Sequence, residues 1–429
     1  MNIIARIKQN KLLKAGAFYS IASTMSGIAG MIVGFMNMRW LGPELLGIWQ
    51  SLTIINSYLP FLQLGIQSSL NIDLPVLLGK GDQEQVSKHV GTAKSFAIVL
   101  SVFIAIVGSI VVAYLVIAHR DLKIIAGAMA IVYLAFISCL QLHLIATYRS
   151  ASAFDKLSKI YIVDTVATLL LMFFIYKYLY YGLLLYHVVK ETIKVVLMYI
   201  YAPYRKMPRC FDKNVFKGLF GRGVLLMALG QIKGVIDSFP RILLLSLGGV
   251  FQVGLFSPAL AVHGLMDMIP KQITQFLQPQ MGYKYGQTKK AVDLMGYVKK
   301  LTLYLPLMTI PFAVIGWLLI GPVVEFFFPK YIESIWAIKV MMLGFIFASS
   351  YMTRNLLMTL RAYKEIFILY GIDIVLFIAI PFLAIKLSPF SLLTSLAIGL
   401  SISYLFSYTI NYFVVKRTIK LPKYNIEQS

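Results

Sequence analysis

GVLLMALGQIKGVIDSFPRILLLSLGGVFQVGLFSPALAVHGLMDMIPKQITQFLQPQ, residues 223–280, decides the fold. It contains two long apolar segments, and each carries charge at helical spacing. Lys233, Asp237 and Arg241 follow one another at steps of four, as do His263, Asp267 and Lys271. Residues four apart stack on one face of a helix, so each trio forms a polar stripe on an oily rod. In lipid, one ionisable group near a helix centre costs roughly 2.5–3.5 kcal/mol on insertion scales. Two readings fit such stripes. Either each aspartate neutralises its neighbours along its own helix, or the stripes face a polar cavity with a cationic bias. The cavity is the reading favoured here.

Composition sets the wider frame. Hydrophobic residues make up 59% of the 429 residues, charged ones 13%, and mean hydropathy is +0.79. These values exclude an ordinary soluble domain and describe a polytopic membrane protein. Cys139 and Cys210 provide neither a disulfide framework nor a metal cluster. The basic start, Met1 to Lys14, precedes an apolar run too long for a signal-peptide core, so it reads as an uncleaved first helix.

Twelve apolar segments can each cross a bilayer: 15–38, 48–72, 92–118, 122–147, 158–177, 180–202, 222–247, 251–281, 297–321, 332–354, 365–386 and 389–414. The connections between them sort by charge. Of the 40 Lys and Arg, 28 fall in the even-numbered loops and at the two termini, Arg205, Arg209, Arg222 and Arg354 among them. Only seven, such as Arg39 and Lys330, fall in odd loops. The positive-inside rule therefore places both termini in the cytoplasm. The net charge of +23 is mostly topology and not a nucleic-acid footprint.

The two halves repeat. AFDKLSKIYIVDTV at 153–166 and AYKEIFILYGIDIV at 362–375 share Ala, an aromatic, Tyr, Asp and a final Val at an offset of 209. Gly42 and Gly47 flank the turn after segment 1, as Gly249 and Gly254 flank the turn after segment 7. The fold class expected is thus all-α integral membrane, with two six-helix lobes in parallel pseudo-two-fold repeat. The lobes are 1–203 and 222–429, joined by a basic cytoplasmic linker at 204–221. Six is even, so both copies insert the same way, and transporters commonly hold substrate between such repeats.

Ser20, Ser23, Thr24, Ser26, Gly27, Gly30 and Gly34 allow close packing of segment 1. Segment 2 carries Gln50, Thr53, Asn56, Ser57, Gln63 and Gln67, with Pro60 as a kink; interhelical bonding and ligand contact both fit these residues. In segment 6, Lys190 and Lys194 share a face, and Glu191 pairs comfortably with only one of them. Asp164 and Asp373 occupy matched places in segments 5 and 11, where a structural role and ion coupling fit equally well.

The turn Arg39-Trp-Leu-Gly-Pro-Glu-Leu-Leu-Gly-Ile-Trp49 resembles that of the Wzx-type polysaccharide (O-antigen) flippases of the multidrug/oligosaccharidyl-lipid/polysaccharide (MOP) exporter superfamily. Gly249 to Ala259 resembles the family's second turn, and Leu277 to Gln280 its proline-bearing helix end. The resemblance covers the whole chain in helix number, duplication and loop length. It implies a MATE-like fold and alternating-access flipping of undecaprenyl-diphosphate-linked repeat units from the cytoplasmic to the outer leaflet of a bacterial inner membrane. It implies lipid-linked anionic oligosaccharide and membrane lipids as partners, with a polysaccharide polymerase and a chain-length regulator as further candidates, and no cofactor. The charged cavity positions it points to are Lys190, Lys194, Lys233, Asp237, Arg241, Asp267 and Lys271; the charge stripe adds His263, and Arg39 of the turn is a further candidate. Asp164, Asp373 and Glu191 are candidates for ion coupling.

A lipid diphosphate needs cations, and five basic residues against Glu191, Asp237 and Asp267 in segments 6 to 8 suit an anion. A multidrug or small-cation antiporter of the same superfamily would want unpaired carboxylates instead. A membrane-embedded polymerase or glycosyltransferase needs a large loop or an extra domain, and every connection is short. No nucleophile, metal-ligand or phosphate-loop motif points to an enzyme. An ordinary major-facilitator carrier would show an Asp-Arg pair where Gly79-Lys-Gly-Asp-Gln-Glu-Gln85 stands. The topology is directly testable. Cysteines placed at Gly81, Asn214 and Gln287 should react with an impermeant thiol reagent only from the cytoplasmic side, and those at Glu44 or Glu333 only from outside.

Overall fold

The computed structural model describes residues 3–208, 210–349 and 353–425. Arg209 lies outside the described residues, and so do the side chains of Arg6, Lys8 and Lys11 in the basic N-terminal end. The helices in chain order are α1 (Ile3–Leu52), α2 (Leu59–Leu62), α3 (Ile66–Lys80), α4 (Gln83–Ile117), α5 (Leu122–Ser150), α6 (Phe154–Ile200) and α7 (Lys213–Leu255). There follow α8 (Ser257–Thr288), α9 (Met295–Lys299), α10 (Leu305–Phe327), α11 (Ile335–Ala348), α12 (Arg354–Thr359), α13 (Tyr363–Leu387) and α14 (Leu392–Ile419). Among the described residues nine helical stretches are long and apolar enough to cross a membrane.

Nine falls short of the expected twelve partly because breaks hide inside long helices. α6 has 47 residues, about 70 Å at 1.5 Å per residue and twice a hydrocarbon core. Leu179 (φ 49°) breaks it. A Cβ on Gly182 would lie 1.9 Å from the carbonyl oxygen of Phe174, so the chain doubles back there and α6 is a hairpin. Gly42 (φ 73°) and Gly249 (φ 71°) break α1 and α7 in the same way. Segment 2 is not the kinked rod expected. It becomes a 3₁₀ turn at Thr53–Ser57, then α2, then Leu64 and Gly65 with positive φ before α3 resumes. Such irregular backbone is tolerated at membrane depth only where it is buried in protein or lines a cavity.

The chain forms two compact units. The first comprises Met1–Leu41 and Ile48–Gly234, the second Gly42–Gly47 and Val235–Ser429. The stretch read as a linker at 204–221 ends inside α7. Asp212 starts that helix by accepting from the N–H groups of Asn214 and Val215 at 2.8 and 3.0 Å. Those bonds, Val215's first, hold its carboxyl below the usual range. In the first unit Ile66, Leu70 and Leu74 of α3 pack with Val86, Val90 and Ala93 of α4, Ala146 of α5 and Leu219 of α7. This packing explains why the start of α7 belongs to the first unit.

The duplication is visible in the backbone. Ser152 (φ 53°) and Arg361 (φ 56°) are both left-handed, at the offset of 209. Ala153 N–H bonds to Tyr148 O at 3.0 Å, and Ala362 N–H to Leu357 O at 2.9 Å. Both are the same helix-ending motif closing one helix before the next begins. The two glycine turns meet within the second unit. A Cβ on Gly47 would sit 1.9 Å from Val250 O, and one on Gly254 would sit 1.8 Å from Pro43 O. Pro43 follows Gly42 as Val250 follows Gly249, so the contact is reciprocal, as a two-fold pair requires.

In the first unit Gly65 and Gly223 touch backbone to backbone, whereas Gly221 faces open space. Gly223→Ala and Gly254→Ala should each cost about 1–3 kcal/mol by overpacking. Thermal unfolding in detergent should show both destabilised and Gly221→Ala unchanged.

Candidate functional site

The hairpin in α6 builds the first site. Asp164 lies fifteen residues before Leu179 and Lys194 fifteen after it, so folding back at Leu179 sets them opposite each other. Lys194 Nζ is 3.7 Å from Asp164 Oδ2 and 3.9 Å from Glu191 Oε2. Lys190 Nζ is 3.3 Å from Glu191 Oε1. Ser26 of α1 donates to Asp164 Oδ2 at 2.7 Å, and Gln141 of α5 donates to Glu191 Oε2 at 3.3 Å. The Tyr161 ring lies 5.3 Å from Lys194 Nζ, over its face.

This grouping corrects the charge count. Counting segments 6 to 8 alone leaves Asp164 out. With it, Lys190 and Lys194 meet two carboxylates, and the four groups sum to zero. The side chain of Asp164 is fully buried, and its Oδ1 has no hydrogen-bond partner among the described residues.

Beside this cluster lies a cavity of about 440 Å³, entirely within the first unit. Glu191 and Lys194 form part of its wall, with Asn56, Gln63 and Gln141 nearby. Trp49 and His187 stack at 4.7 Å and both line it. The broken stretch Thr53–Gln63 therefore borders this space, which accounts for the irregular backbone at that point. Segment 2's amides were visible in the sequence, but Trp49 and Gln141 were not singled out. Trp49 sits in a turn motif that reads as structural, and Gln141 lies alone on an apolar helix.

The second unit holds the other stripe residues. Asp267 is buried and pairs with Lys271 at 3.0 Å along α8, and the Lys271 side chain is half exposed. This one pair lies along a single helix, as the first of the two readings expects. Asp237 and His263 line a small pocket of about 80 Å³ with Pro240, Phe345, Phe377 and Tyr404. The His263 ring lies 4.6 Å from Phe345 and 6.2 Å from Tyr404. Arg241 is half-buried in the second unit; Lys233 is half-buried in the first. Arg39 is exposed in the first unit and joins none of these clusters.

Asp373 resembles Asp164 in place but not in bonding. Ser407 donates to its Oδ1 at 2.8 Å and Arg354 bonds its Oδ2. Arg354 also donates to Asn411 at 2.9 Å and lies 4.6 Å from the Tyr370 ring. By its place in the sequence Arg354 is a loop cation. It is instead only 4% exposed, because the carboxylate it neutralises sits inside the bundle. Both matched aspartates thus have a serine and a cation, but only Asp164 keeps an open oxygen.

The architecture matches solved structures throughout its length. An inward-facing multidrug resistance MATE family transporter of the MOP superfamily aligns with a TM-score of 0.77 at 14% identity, over 94% of this chain and 98% of that one. The Vibrio cholerae MATE transporter VcmN in its bent form gives 0.62 at 11% identity, over 96% and 97%. An outward-facing multidrug resistance MATE family transporter gives 0.64 at 14%, over 95% of each. The fold, all-helical among the described residues, is therefore MATE-like, and its nine apolar helices make the chain a multi-pass membrane protein. A family model described as polysaccharide biosynthesis protein matches residues 38–335, and the chain belongs to that family. No curated protein matches it in sequence.

The two aspartates should part company on mutation. Asp373→Asn strands the buried Arg354 charge at a cost of about 3–5 kcal/mol, so membrane abundance should collapse. Adding Arg354→Met should restore much of it. Asp164→Asn should stay abundant, because one net cation in a cluster beside a polar cavity is less costly than one sealed in the core. Quantitative immunoblotting of membranes checks all three variants.

Proposed function

We propose that this transporter carries an undecaprenyl-diphosphate-linked oligosaccharide, an O-antigen or other polysaccharide repeat unit, from the cytoplasmic to the outer leaflet by alternating access. On this reading it resides in a bacterial inner membrane with both termini cytoplasmic, supplies lipopolysaccharide or a related polymer, and works beside a polymerase and a chain-length regulator. The observation that carries it is the cavity of the first unit. Amides from Asn56, Gln63 and Gln141 offer donors and acceptors for sugar hydroxyls, and the Trp49–His187 stack offers an apolar platform. The volume of about 440 Å³ suits a bound ligand of moderate size. Membership of the polysaccharide biosynthesis family supports the same substrate class.

The charge cluster then supplies coupling. With Asp164 ionised, Lys190 and Lys194 are fully matched. Neutralising Asp164, by a proton or a bound cation, leaves one net positive charge for a diphosphate. We assign ion coupling to Asp164 and a structural role to Asp373, whose oxygens are both engaged. Lys233 in the first unit, and Arg241 and Lys271 in the second, are the further cations assigned to the anion. A multidrug antiporter is the second reading, favoured by an apolar cavity of about 430 Å³ in the second unit lined by Met266, Met268, Met308, Met342 and Phe312.

Complementation of a flippase-deletion strain at equal protein level separates the two readings. Lys233→Ala and Arg241→Ala should reduce surface polysaccharide, their Glu versions should abolish it, and Arg241→Lys should retain part. Asp164→Asn should transport nothing against a gradient. Drug resistance without surface polysaccharide would favour the antiporter, and full activity of both Glu variants would remove the cationic route.

A further inference from the structure

A second cavity of the first unit belongs to none of these clusters. It occupies about 370 Å³ between α4, α5 and the end of α6. Lys94 and Arg205 stand at its wall, and no carboxylate lines it. Among the described residues neither cation has a carboxylate within 4 Å, unlike Lys190, Lys194, Lys271 and Arg354. Arg205 is held there by the Tyr199 ring at 5.3 Å and by its bond to Ile200 O at 3.4 Å. The rest of the lining is mainly apolar, including Ile98, Leu140, Leu144 and Val196.

Depth identifies the medium that fills it. Lys94 is 23 residues before Ile117, the far end of α4, roughly 35 Å along the axis. A hydrocarbon core is about 30 Å thick, so Lys94 lies at headgroup level when Ile117 marks the opposite face. Arg205 lies five residues beyond the end of α6, while Ile98 and Val196 lie a turn or more inside their helices. Val196 and Tyr199 are 47% and 45% exposed, so the cavity opens sideways between the helices.

We propose that this cavity binds one anionic phospholipid, with its phosphate between Lys94 and Arg205 and its acyl chain against the apolar wall below. Cations above an apolar slot between helices are the chemistry that selects an acidic lipid over a zwitterionic one. The phosphate chemistry alone would also accept free phosphate; the apolar wall is what favours the lipid. The loop that carries Arg205 is tied to the start of α4, because Ser95 donates to Cys210 O at 3.0 Å and Asp212 N–H to Thr92 at 3.1 Å. A lipid bridging Lys94 and Arg205 would therefore brace that same junction.

The test uses the full-length purified chain in detergent, titrated with phosphatidylglycerol, phosphatidylcholine or inorganic phosphate, and read by native mass spectrometry and thermal unfolding. Phosphatidylglycerol should bind and raise the melting temperature, while phosphatidylcholine and inorganic phosphate should do neither. In the Lys94→Gln/Arg205→Gln double variant, affinity for phosphatidylglycerol should fall about twenty-five-fold, at roughly fivefold per cation. Val196→Trp leaves both charges and fills the slot, and it should lose the same binding; it decides the matter even where the double variant folds poorly. Equal binding of the two lipids, stabilisation by inorganic phosphate alone, or unchanged affinity in both variants would each overturn the proposal.

Discussion

A charge placed in hydrocarbon must be met inside the protein, and the rest of this structure follows from how that is done. Water is not there to solvate an ion, so each buried carboxylate needs donors at bonding distance. Asp373 meets the demand completely, with Ser407 on one oxygen and Arg354 on the other. Asp164 meets it in part, through Ser26 and a longer approach from Lys194. A completely satisfied pair is rigid and resists change. A partly satisfied one can exchange a proton or cation with little rearrangement. The same demand thus yields a fully bonded carboxylate in one repeat and a partly bonded one in the other.

Duplication explains why these groups can be compared at all. The left-handed residues Ser152 and Arg361 end equivalent helices, and the aspartates follow them at equal distance. The glycine turns are held to symmetry more tightly than any charged group. Gly47 and Gly254 leave no room for a Cβ against the opposing carbonyls, so backbone contact fixes residue type there. Side-chain partners carry no such restriction. Asp164 draws its cation from the second half of its own hairpin, whereas Asp373 draws one from α12.

Breaks in regular structure mark where a ligand is expected. Between Thr53 and Gly65 the chain keeps only the single turn α2 of α-helix, and Thr53, Asn56, Leu59, Pro60 and Gln63 border the polar cavity of the first unit. Helical backbone satisfies itself and leaves little to offer a substrate. Here the interruption brings the side chains of Asn56 and Gln63 to the cavity wall, where their amides offer donors and acceptors. In the second unit the Met-lined cavity is apolar, so the two units present different surfaces to whatever enters them.

The sequence by itself determined the membrane class, the all-helical fold, the duplication and the family. Each of these rests on local or periodic signals: apolar runs, the offset of 209, and glycines that a turn requires. It also picked out Lys190, Glu191, Lys194, Asp164 and Asp373, since an ionisable residue in an apolar run is conspicuous wherever it lies. What each of them bonds was a tertiary matter. The break at Leu179 falls between the segments read at 158–177 and 180–202, but a segment boundary does not say which side chains meet across it, and here it sets Asp164 against Lys194 and cancels an excess of charge that counting along segments suggested. Arg354 at the end of an apolar run reads as a loop cation until the fold brings Asp373 to it. Net charge in a cluster depends on which segments meet. That is decided by packing across the bundle, where residues far apart in the chain share one low-dielectric site.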